Sequence, residues 1–215
     1  MSDRDLNWKY AEDFAQETAA IASARQHSLE QGVEPVSPGV GAQLAVLAAA
    51  AGVRTIAEIG TGLGVSALWM LQGAPEATLT SIDSELDFQQ TARHALGEAG
   101  HAPARTRLIT GRALEVLPRM NDGAYDLVLV DADPGNVLAY AEHALRLARP
   151  GGIVAIPHAL WRGRVADPAQ RDATIGGFRD LLDTVRDSAV TASLGMPGDG
   201  LLQIVKRDAD PAGAS

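Results

Sequence analysis

Alternate glycines follow an apolar run in the first third of the chain, where a backbone turn could approach a ligand closely. Residues 56–68 have the sequence Ile-Ala-Glu-Ile-Gly-Thr-Gly-Leu-Gly-Val-Ser-Ala-Leu, which predicts a strand, a tight turn and the start of a helix. A dinucleotide-binding turn needs Gly-x-Gly-x-x-Gly, but Val65 stands where its third glycine would be. No Gly-Lys-Ser/Thr follows, so the turn is not a P-loop. A glycine turn without a ligand is the alternative.

Three carboxylates are predicted to lie at the same edge of a sheet as this turn. Glu58 precedes the glycines, while Asp83 and Asp131 end later apolar runs. The carboxyl ends of parallel strands meet at one edge, where open α/β sheets bind ligands. Asp83 could accept both hydroxyls of a ribose there, although a helix N-cap is its alternative role. Glu58 would attract a cation and repel a pyrophosphate, which favours a positively charged adenosine-type cofactor.

Alternating strands and helices are needed to bring these residues together, and the sequence predicts them. Predicted strands cover residues 54–60, 77–83, 106–110, 126–131 and 152–157, followed by an antiparallel hairpin of 189–195 and 201–206. Predicted helices cover residues 64–73, 85–99, 112–120, 135–148 and 168–187, preceded by one helix within 5–31 and one within 38–52. The alternation predicts an α/β fold with a Rossmann-like, doubly wound and mostly parallel sheet.

The composition predicts a single globular domain over residues 1–207, with an N-terminal helical segment at 1–31 and a disordered tail at 208–215. The chain has 215 residues and no cysteine, which excludes disulfides and thiol nucleophiles. Its net charge of −9 argues against a nucleic-acid partner. No apolar run is long enough for a membrane span and no signal peptide is visible, so we expect a cytoplasmic protein.

Further motifs make the sequence similar to one family. They are Val36-Ser37-Pro38, Glu58-Ile-Gly-Thr-Gly-x-Gly-x-Ser66, Ile82-Asp83, Gly111-Arg112-Ala113-Leu114-Glu115, Val130-Asp131-Ala132-Asp133, Arg149-Pro150-Gly151-Gly152, Leu160-Trp161-x-Gly163-x-Val165 and Gly198-Asp199-Gly200. In this order, over residues 36–206, they resemble the S-adenosylmethionine (SAM)-dependent O-methyltransferases of the catechol and caffeoyl-CoA O-methyltransferase-like family, in its small bacterial branch. The Leu-Trp-x-Gly-x-Val motif is much more specific than the glycine turn.

This resemblance implies a seven-stranded sheet, a homodimer and SAM as the cofactor. The residues that it implies for SAM binding are Val36, Glu58, Gly60, Thr61, Gly62, Ser66, Asp83, Ser84, Arg112, Ala113 and Asp131. Asp131 would also contact the methyl acceptor. Trp161, Trp8 and Tyr10 could stack on an aromatic acceptor, and core packing or dimer contacts are their alternative roles.

The sequence departs from the family where its members bind a divalent metal, commonly magnesium. The resemblance implies three ligands: Asp131, which is kept, and an Asp-Asn pair whose positions hold Pro157 and His158. Proline has no side-chain ligand, and one carboxylate with one imidazole is a poor magnesium site. The family's lysine after Asp-Ala-Asp is replaced by Pro134. We therefore expect metal dependence to be lost, although His158, Asp131 and Asp133 could together hold a softer metal such as zinc.

His158 becomes the candidate for proton transfer, because it follows the fifth predicted strand at the ligand-binding edge. An imidazole titrates near neutral pH and could act as a general base without a metal. A histidine that only hydrogen-bonds to the backbone is the alternative.

The sequence thus predicts methyl transfer from SAM to an oxygen of a small-molecule acceptor, with His158 and Asp131 as catalytic residues. A tRNA-modifying methyltransferase is one alternative, and the acidic charge argues against it. A SAM-binding protein without catalysis is another, suggested by the altered metal site. An NAD-dependent dehydrogenase is a weaker third, because Val65 breaks its glycine motif.

Overall fold

Helices and strands alternate along the computed structural model, which describes residues 2–207. The helices are α1 (Asp3–Phe14), α2 (Ala19–Glu30), α3 (Pro38–Ala50), α4 (Val65–Gly73), α5 (Leu86–Glu98), α6 (Ala113–Val116), α7 (Val137–Leu147) and α8 (Ala173–Asp187). The strands are β1 (Thr55–Ile59), β2 (Thr78–Asp83), β3 (Thr106–Thr110), β4 (Tyr125–Val130), β5 (Ala148–Ile156), β6 (Thr191–Gly195) and β7 (Leu201–Val205). Among residues 2–207, no helix is long and apolar enough to cross a membrane. The tail predicted at 208–215 lies outside the described residues.

Within the described residues, seven strands form a sheet in the order β3-β2-β1-β4-β5-β7-β6. Strands β1 to β5 pair in parallel, and β7 runs antiparallel to both β5 and β6. This confirms the doubly wound sheet and the C-terminal hairpin. The strand order reverses between β1 and β4, and sheets of this kind bind ligands in the crevice beyond the carboxyl ends of such a strand pair.

Both faces of the sheet are buried, which explains the continuous apolar runs of its central strands. Leu127 of β4 belongs to one hydrophobic cluster with Leu44 of α3. The next residue, Val128, belongs to a second cluster with Phe178 of α8. Successive strand residues point to opposite faces, so a strand covered on both faces is apolar at every position.

The N-terminal segment forms two helices, which corrects the single helix predicted within residues 5–31. Helix α1 ends at Phe14, and Thr18 is the N-cap of α2. The Thr18 hydroxyl accepts a hydrogen bond from the Ile21 N–H at 3.3 Å. Threonine suits this place because it satisfies an N–H that has no partner within the first turn of the helix. The break lets α1 pack on α3 and α2 pack on α4.

Two helices are shorter than predicted, and one of the differences affects the site. Helix α8 begins at Ala173 rather than at residue 168, because the Asp172 side chain caps it by accepting from the Ile175 N–H at 3.1 Å. Helix α6 ends at Val116, followed by a short 3-10 turn at Leu117–Arg119. The chain between β5 and α8 is therefore a long irregular loop that begins at the ligand-binding edge of the sheet.

Candidate active site

The glycine turn joins β1 to α4 and packs directly against the end of β4. Gly60, Gly62 and Gly64 have φ angles of 95°, 49° and 91°, in the left-handed region that favours glycine. A Cβ atom on Gly60 would lie 1.9 Å from the carbonyl oxygen of Asp131, a distance that hard-sphere sterics forbid. The backbone of the turn and the backbone of Asp131 are therefore in direct contact, and no other residue fits at position 60.

Asp83, the last residue of β2, holds the turn in this conformation. Its Oδ2 accepts hydrogen bonds from the N–H groups of Thr61 and Gly62, both at 2.9 Å. Its Oδ1 accepts from the Glu85 N–H at 3.0 Å, close to the start of α5. The same side chain also lines a cleft beyond the carboxyl ends of the central strands. Asp83 thus supports the turn and the following helix, and its contact with a ribose stays a prediction.

A cleft of about 740 Å³ opens beyond the carboxyl ends of the central strands. This volume suits a ligand of cofactor size. The residues predicted for cofactor binding that line this cleft are Gly60, Gly62, Asp83, Ser84, Arg112, Ala113 and Asp131. They come from four separate segments of the chain, and the topology of the sheet brings them together.

Apolar and aromatic side chains that sequence reasoning missed also line the cleft. They are Val33, Phe88 and Tyr140. Phe88 could have been found, because the first turn of a helix that follows a strand lies beside that strand's carboxyl end. Tyr140 gave no such signal, since its place in α7 fits core packing equally well. Its hydroxyl donates a hydrogen bond to Asp133 Oδ2 at 2.5 Å.

A smaller cavity of about 60 Å³ shares Gly60, Gly62 and Asp131 with the cleft. It is lined by three further residues predicted for cofactor binding, Val36, Thr61 and Ser66. Because the two spaces meet at the glycine turn, one extended ligand could occupy both.

Glu58 lies beneath the turn and is not among the residues that line the cleft or the smaller cavity. It is fully buried, and its two carboxyl oxygens accept from the hydroxyls of Ser66 at 2.6 Å and Ser81 at 2.5 Å. Burial raises the pKa of Glu58 to about 8, the two hydroxyls oppose this, and the charges of Asp131 and Asp83 add to it. We expected a direct charged contact with the cofactor. In the structure this carboxyl instead holds Ser66, and its raised pKa favours the neutral form at pH 7. A contact between Glu58 and the cofactor stays a prediction.

Three titratable side chains meet beyond the end of β5. His158 Nδ1 lies 2.6 Å from Asp199 Oδ1, and His158 Nε2 lies 3.7 Å from Asp131 Oδ1. Burial alone would lower the pKa of His158, but the hydrogen bond to Asp199 and the charges of Asp131, Asp199 and Glu34 together raise it to about 9. The expected titration near neutral pH is therefore wrong for the ligand-free protein, in which the imidazole is protonated at pH 7.

The two carboxylates of this group differ in their electrostatics. Burial raises the pKa of Asp131, although the charge of His158 opposes the rise. Burial also acts to raise the pKa of Asp199, but the hydrogen bond to His158, the charge of His158 and the Arg162 N–H together outweigh it, so this pKa lies below the ordinary value. In the sequence, Gly198-Asp199-Gly200 served only as a family motif, and the contact between Asp199 and His158 was not predicted. The available signal was an acidic residue between two glycines, in a hairpin turn at the ligand-binding edge.

The loop that carries His158 has a strained backbone. His158, Trp161 and Arg162 have φ angles of 58°, 43° and 57°, in a region that costs residues other than glycine roughly 1–2 kcal/mol each. Asp199 helps to hold the loop, since its carbonyl accepts from the Leu160 N–H at 3.0 Å and its Oδ2 accepts from the Arg162 N–H at 3.1 Å. Such strain persists only where the surrounding structure imposes it, and it clusters at functional sites.

Trp161 lies at this site, but its ring already has a partner. It stacks on Phe178 with ring centroids 5.2 Å apart and an angle of 28° between the planes. Its edge meets His158 at a centroid distance of 6.5 Å. The cavity that Trp161 lines with His158 and Asp131 is only about 20 Å³, too small for an aromatic acceptor. The packing role of Trp161, the alternative to acceptor stacking, is the one seen here.

The other two aromatic candidates lie on α1. The indole N–H of Trp8 donates to the carbonyl oxygen of Gly198 at 3.1 Å, and Tyr10 is 76% exposed. Neither side chain is among those that line the cleft or the two smaller cavities. Trp8 therefore contacts the site only through the backbone of the hairpin turn.

The side chains beyond β5 do not form a donor set for a hard divalent cation. Pro157 offers no side-chain ligand, and His158 uses Nδ1 to bind Asp199. Asp133, a member of the zinc alternative, is hydrogen-bonded to Tyr140. Among the residues that the structure describes, no three His, Asp or Glu side chains are grouped so as to hold a metal ion. The arrangement supports neither the magnesium site of the family nor the zinc site.

The order of the strands, the glycine turn after β1 and the acidic residue at the end of β2 define a Rossmann-like α/β fold of the kind that binds adenosine-type cofactors. The chain matches the O-methyltransferase family over residues 12–207 and belongs to that family. A protein of Mycobacterium tuberculosis named "Probable O-methyltransferase" is 42% identical over 201 residues, which are 93% of this chain and 90% of the relative.

Solved structures agree with this assignment. A protein from Corynebacterium glutamicum has a TM-score of 0.88 and 29% identity, covering 96% of this chain and 98% of its own. The O-methyltransferase TomG from Streptomyces achromogenes, involved in Tomaymycin synthesis and solved in complex with SAM, has a TM-score of 0.83 and 28% identity. That likeness covers 97% of this chain and 100% of TomG. The family predicted from the sequence motifs is thereby confirmed.

Proposed function

We propose that this protein transfers a methyl group from SAM to an oxygen of a small-molecule acceptor, without the divalent metal of related enzymes. The observation that carries the proposal is the position of Asp131, which lines the large cleft, the smaller cavity and the cavity next to His158. One carboxylate thus connects the space for a cofactor with the side chains suited to proton transfer. The SAM complex of the related TomG supports the choice of cofactor.

In this proposal the adenosine of SAM occupies the large cleft, and its ribose lies near Asp83. The methionine part extends past Gly60 into the smaller cavity, which Val36 and Ser66 help to line. Asp131 then lies beside the positive charges of the cofactor, which a carboxylate attracts. Glu58 contributes indirectly by fixing Ser66.

The reaction itself is an in-line displacement. The acceptor oxygen attacks the methyl carbon, the carbon–sulfur bond breaks, and the sulfonium becomes the neutral sulfur of S-adenosylhomocysteine. Charge disappears along this path, so exclusion of water and accurate positioning supply much of the acceleration. The proton of the acceptor hydroxyl passes to Nε2 of His158, whose Nδ1 is held by Asp199.

The raised pKa of His158 describes the protein without ligands. Asp131, Asp199 and Glu34 all attract the imidazolium. A cationic cofactor beside Asp131 competes for one of these charges and so weakens the hold on the proton. Cofactor binding therefore lowers the pKa of His158 and prepares it to act as a base.

The test is methyl transfer from radiolabelled SAM to a panel of catechols and other small hydroxylated compounds, with either EDTA or magnesium present. We expect an O-methyl product whose yield is the same in EDTA. A strict requirement for magnesium would contradict metal-free transfer. Tight binding of S-adenosylhomocysteine without transfer to any acceptor would favour a SAM-binding protein without catalysis. Methylation of tRNA instead of small molecules would favour the tRNA-modifying alternative.

We also propose the homodimer that the family resemblance implies. Large apolar side chains on α1 and α3 are exposed in the single chain, among them Phe14 at 78% and Val46 at 61%. Exposed apolar surface of this kind is a common feature of protein interfaces. Light scattering after size-exclusion chromatography would measure the oligomeric state, and a monomer at micromolar concentration would contradict the proposal. A cytoplasmic location stays a prediction.

A further inference from the structure

Glu12 joins the N-terminal helix to two distant parts of the chain. It is only 9% exposed. Its Oε2 accepts from the Gly39 N–H at 2.8 Å, and its Oε1 accepts from the Gly198 N–H at 2.6 Å. These partners are 27 and 186 residues away in the sequence. One carboxylate therefore ties α1 to the start of α3 and to the turn between β6 and β7.

Both partners of Glu12 need to be glycine for this approach. A Cβ on Gly39 would lie 2.5 Å from Glu12 Oε1, and a Cβ on Gly198 would lie 2.9 Å from Ser37 Oγ. Gly198 also has a φ of 58°, which favours glycine. The Trp8 indole donates to the carbonyl of the same Gly198. Helix α1 thus holds both the N–H and the C=O of one residue.

That residue immediately precedes Asp199. Because the carbonyl of Gly198 belongs to the peptide bond that leads into Asp199, holding Gly198 on both sides fixes the orientation of this peptide. Asp199 in turn binds Nδ1 of His158 at 2.6 Å. A carboxylate on one ring nitrogen keeps a proton there and leaves the other nitrogen, Nε2, to face Asp131.

We propose that Glu12 is a positioning residue, which acts with Trp8 through the Gly198–Asp199 peptide to set the ring orientation and tautomer of His158. This inference rests on the proposed function, because the setting affects turnover only if His158 takes the acceptor's proton. The geometric part can be measured without any acceptor. Glu12 and Trp8 line neither the cleft nor the smaller cavity, so neither side chain would contact the cofactor directly.

The test compares the full-length protein with Glu12→Gln. Glutamine has the same shape, but its NH₂ group would face one of the two N–H donors, so one hydrogen bond is lost. The protein is labelled with ¹⁵N-histidine and studied above the His158 pKa of about 9, where the ring is neutral and has a tautomer. The His158 ring resonances are assigned by their loss in His158→Gln. We expect Glu12→Gln to move them toward the values of an exposed histidine that exchanges between tautomers. Turnover should fall about 10-fold, with unchanged affinity for S-adenosylhomocysteine.

Two further variants keep the test decisive. Asp13→Asn makes the same carboxylate-to-amide change on the same helix, at a side chain that is 63% exposed, and should alter neither resonances nor turnover. Trp8→Phe keeps an aromatic ring but removes the indole donor to Gly198, so it should shift the His158 resonances in the same direction by less. If Glu12→Gln does not fold, Trp8→Phe still tests the positioning role.

Three results would overturn parts of the inference, and they are distinguishable. Unchanged His158 resonances in folded Glu12→Gln and in Trp8→Phe would refute the positioning role. A loss of cofactor affinity as large as the loss of turnover would refute it as well, because it would indicate general damage. Shifted resonances with full turnover would support Glu12 as the residue that orients the His158 ring. They would refute His158 as the base of the proposed function.

Discussion

The cofactor side and the acceptor side of the site are built by different means. On the cofactor side, backbone geometry sets the shape: a glycine turn is held by Asp83 and packs on the carbonyl of Asp131. On the acceptor side, side chains set the shape: His158 lies between Asp131 and Asp199 on a strained loop. The first arrangement depends on local sequence and the second on contacts between distant segments. Substitutions should therefore separate cofactor binding from catalysis.

The largest effect is expected at the contact that defines the cofactor side. Gly60→Ala would place a methyl group 1.9 Å from the Asp131 carbonyl, so either β4 or the turn must move. We expect no measurable binding of S-adenosylhomocysteine in calorimetry and a loss of at least about 3 kcal/mol in the free energy of unfolding. Gly100→Ala is the matched control, because Gly100 has a similar φ of 88° with no atom near its Cβ position.

The control separates backbone strain from the steric clash. Gly100→Ala should cost only the roughly 1–2 kcal/mol of a left-handed residue and leave binding intact. Equal losses of stability in the two variants, with binding preserved in both, would contradict the account of the turn.

The next largest effect concerns the acceptor side. His158→Gln removes the only group beyond β5 that is proposed to take the proton, so methyl transfer should fall by about 100-fold or more. Affinity for S-adenosylhomocysteine should not change, because His158 does not line the large cleft. Single-turnover rates and calorimetry measure the two properties separately. His94→Gln, at an exposed helical position, is the control, and full turnover in His158→Gln would remove this residue from the mechanism.

A third prediction uses the buried carboxyl beneath the turn. The pKa of Glu58 is about 8 in the folded protein against an ordinary value of 4.5 for an exposed glutamate, so the folded state binds the extra proton between these values. The stabilisation is fully present below pH 4.5 and is lost as the pH rises toward about 8, by up to about 1.4 kcal/mol per pH unit. Urea unfolding of the ligand-free protein should show this loss, and Glu58→Gln should flatten it. If stability falls equally steeply with rising pH in Glu58→Gln, the loss is due to other titratable groups.

The smallest effect is a shift of the pH profile. His158 acts as a base only when deprotonated, so turnover should rise as the pH rises through its pKa. This pKa is about 9 without ligands and is expected to be lower in the SAM complex. Asp199→Asn removes the negative charge and weakens the hydrogen bond to Nδ1, which both raise this pKa, so the midpoint should move down by about one pH unit. The ratio kcat/KM for the acceptor, measured against pH, gives the midpoint. Asp13→Asn should leave it in place, and an upward shift in Asp199→Asn would contradict the proposal.

The same division explains how much the sequence could predict. Gly60, Gly62 and Asp83 were identified because the turn and its strand ends follow local patterns, and the sheet followed from the alternation of elements. The roles of Asp199 and Glu12 were not identified. Asp199 is 41 residues away from its partner His158, and Glu12 is 186 residues away from its partner Gly198. No local pattern reports such contacts.

The electrostatic environment of a side chain was the other property that the sequence could not predict. Burial raises the pKa of Glu58, and a pair of carboxylates raises that of His158. Both effects depend on what surrounds a side chain in space, which residue type alone cannot give. The stacking of Trp161 on Phe178 is a similar case, since Trp161 fitted either packing or acceptor contact in the sequence.

The contact between Gly60 and Asp131 also bears on how related enzymes diverge. Because two backbones touch there, the position of Asp131 relative to the glycine turn is set independently of most side chains. If the site works as proposed, substitutions in the loop after β5 or in α1 can change which acceptor hydroxyl is bound without changing the position of the methyl group. A lineage with this contact can explore new acceptors while keeping its donor chemistry constant.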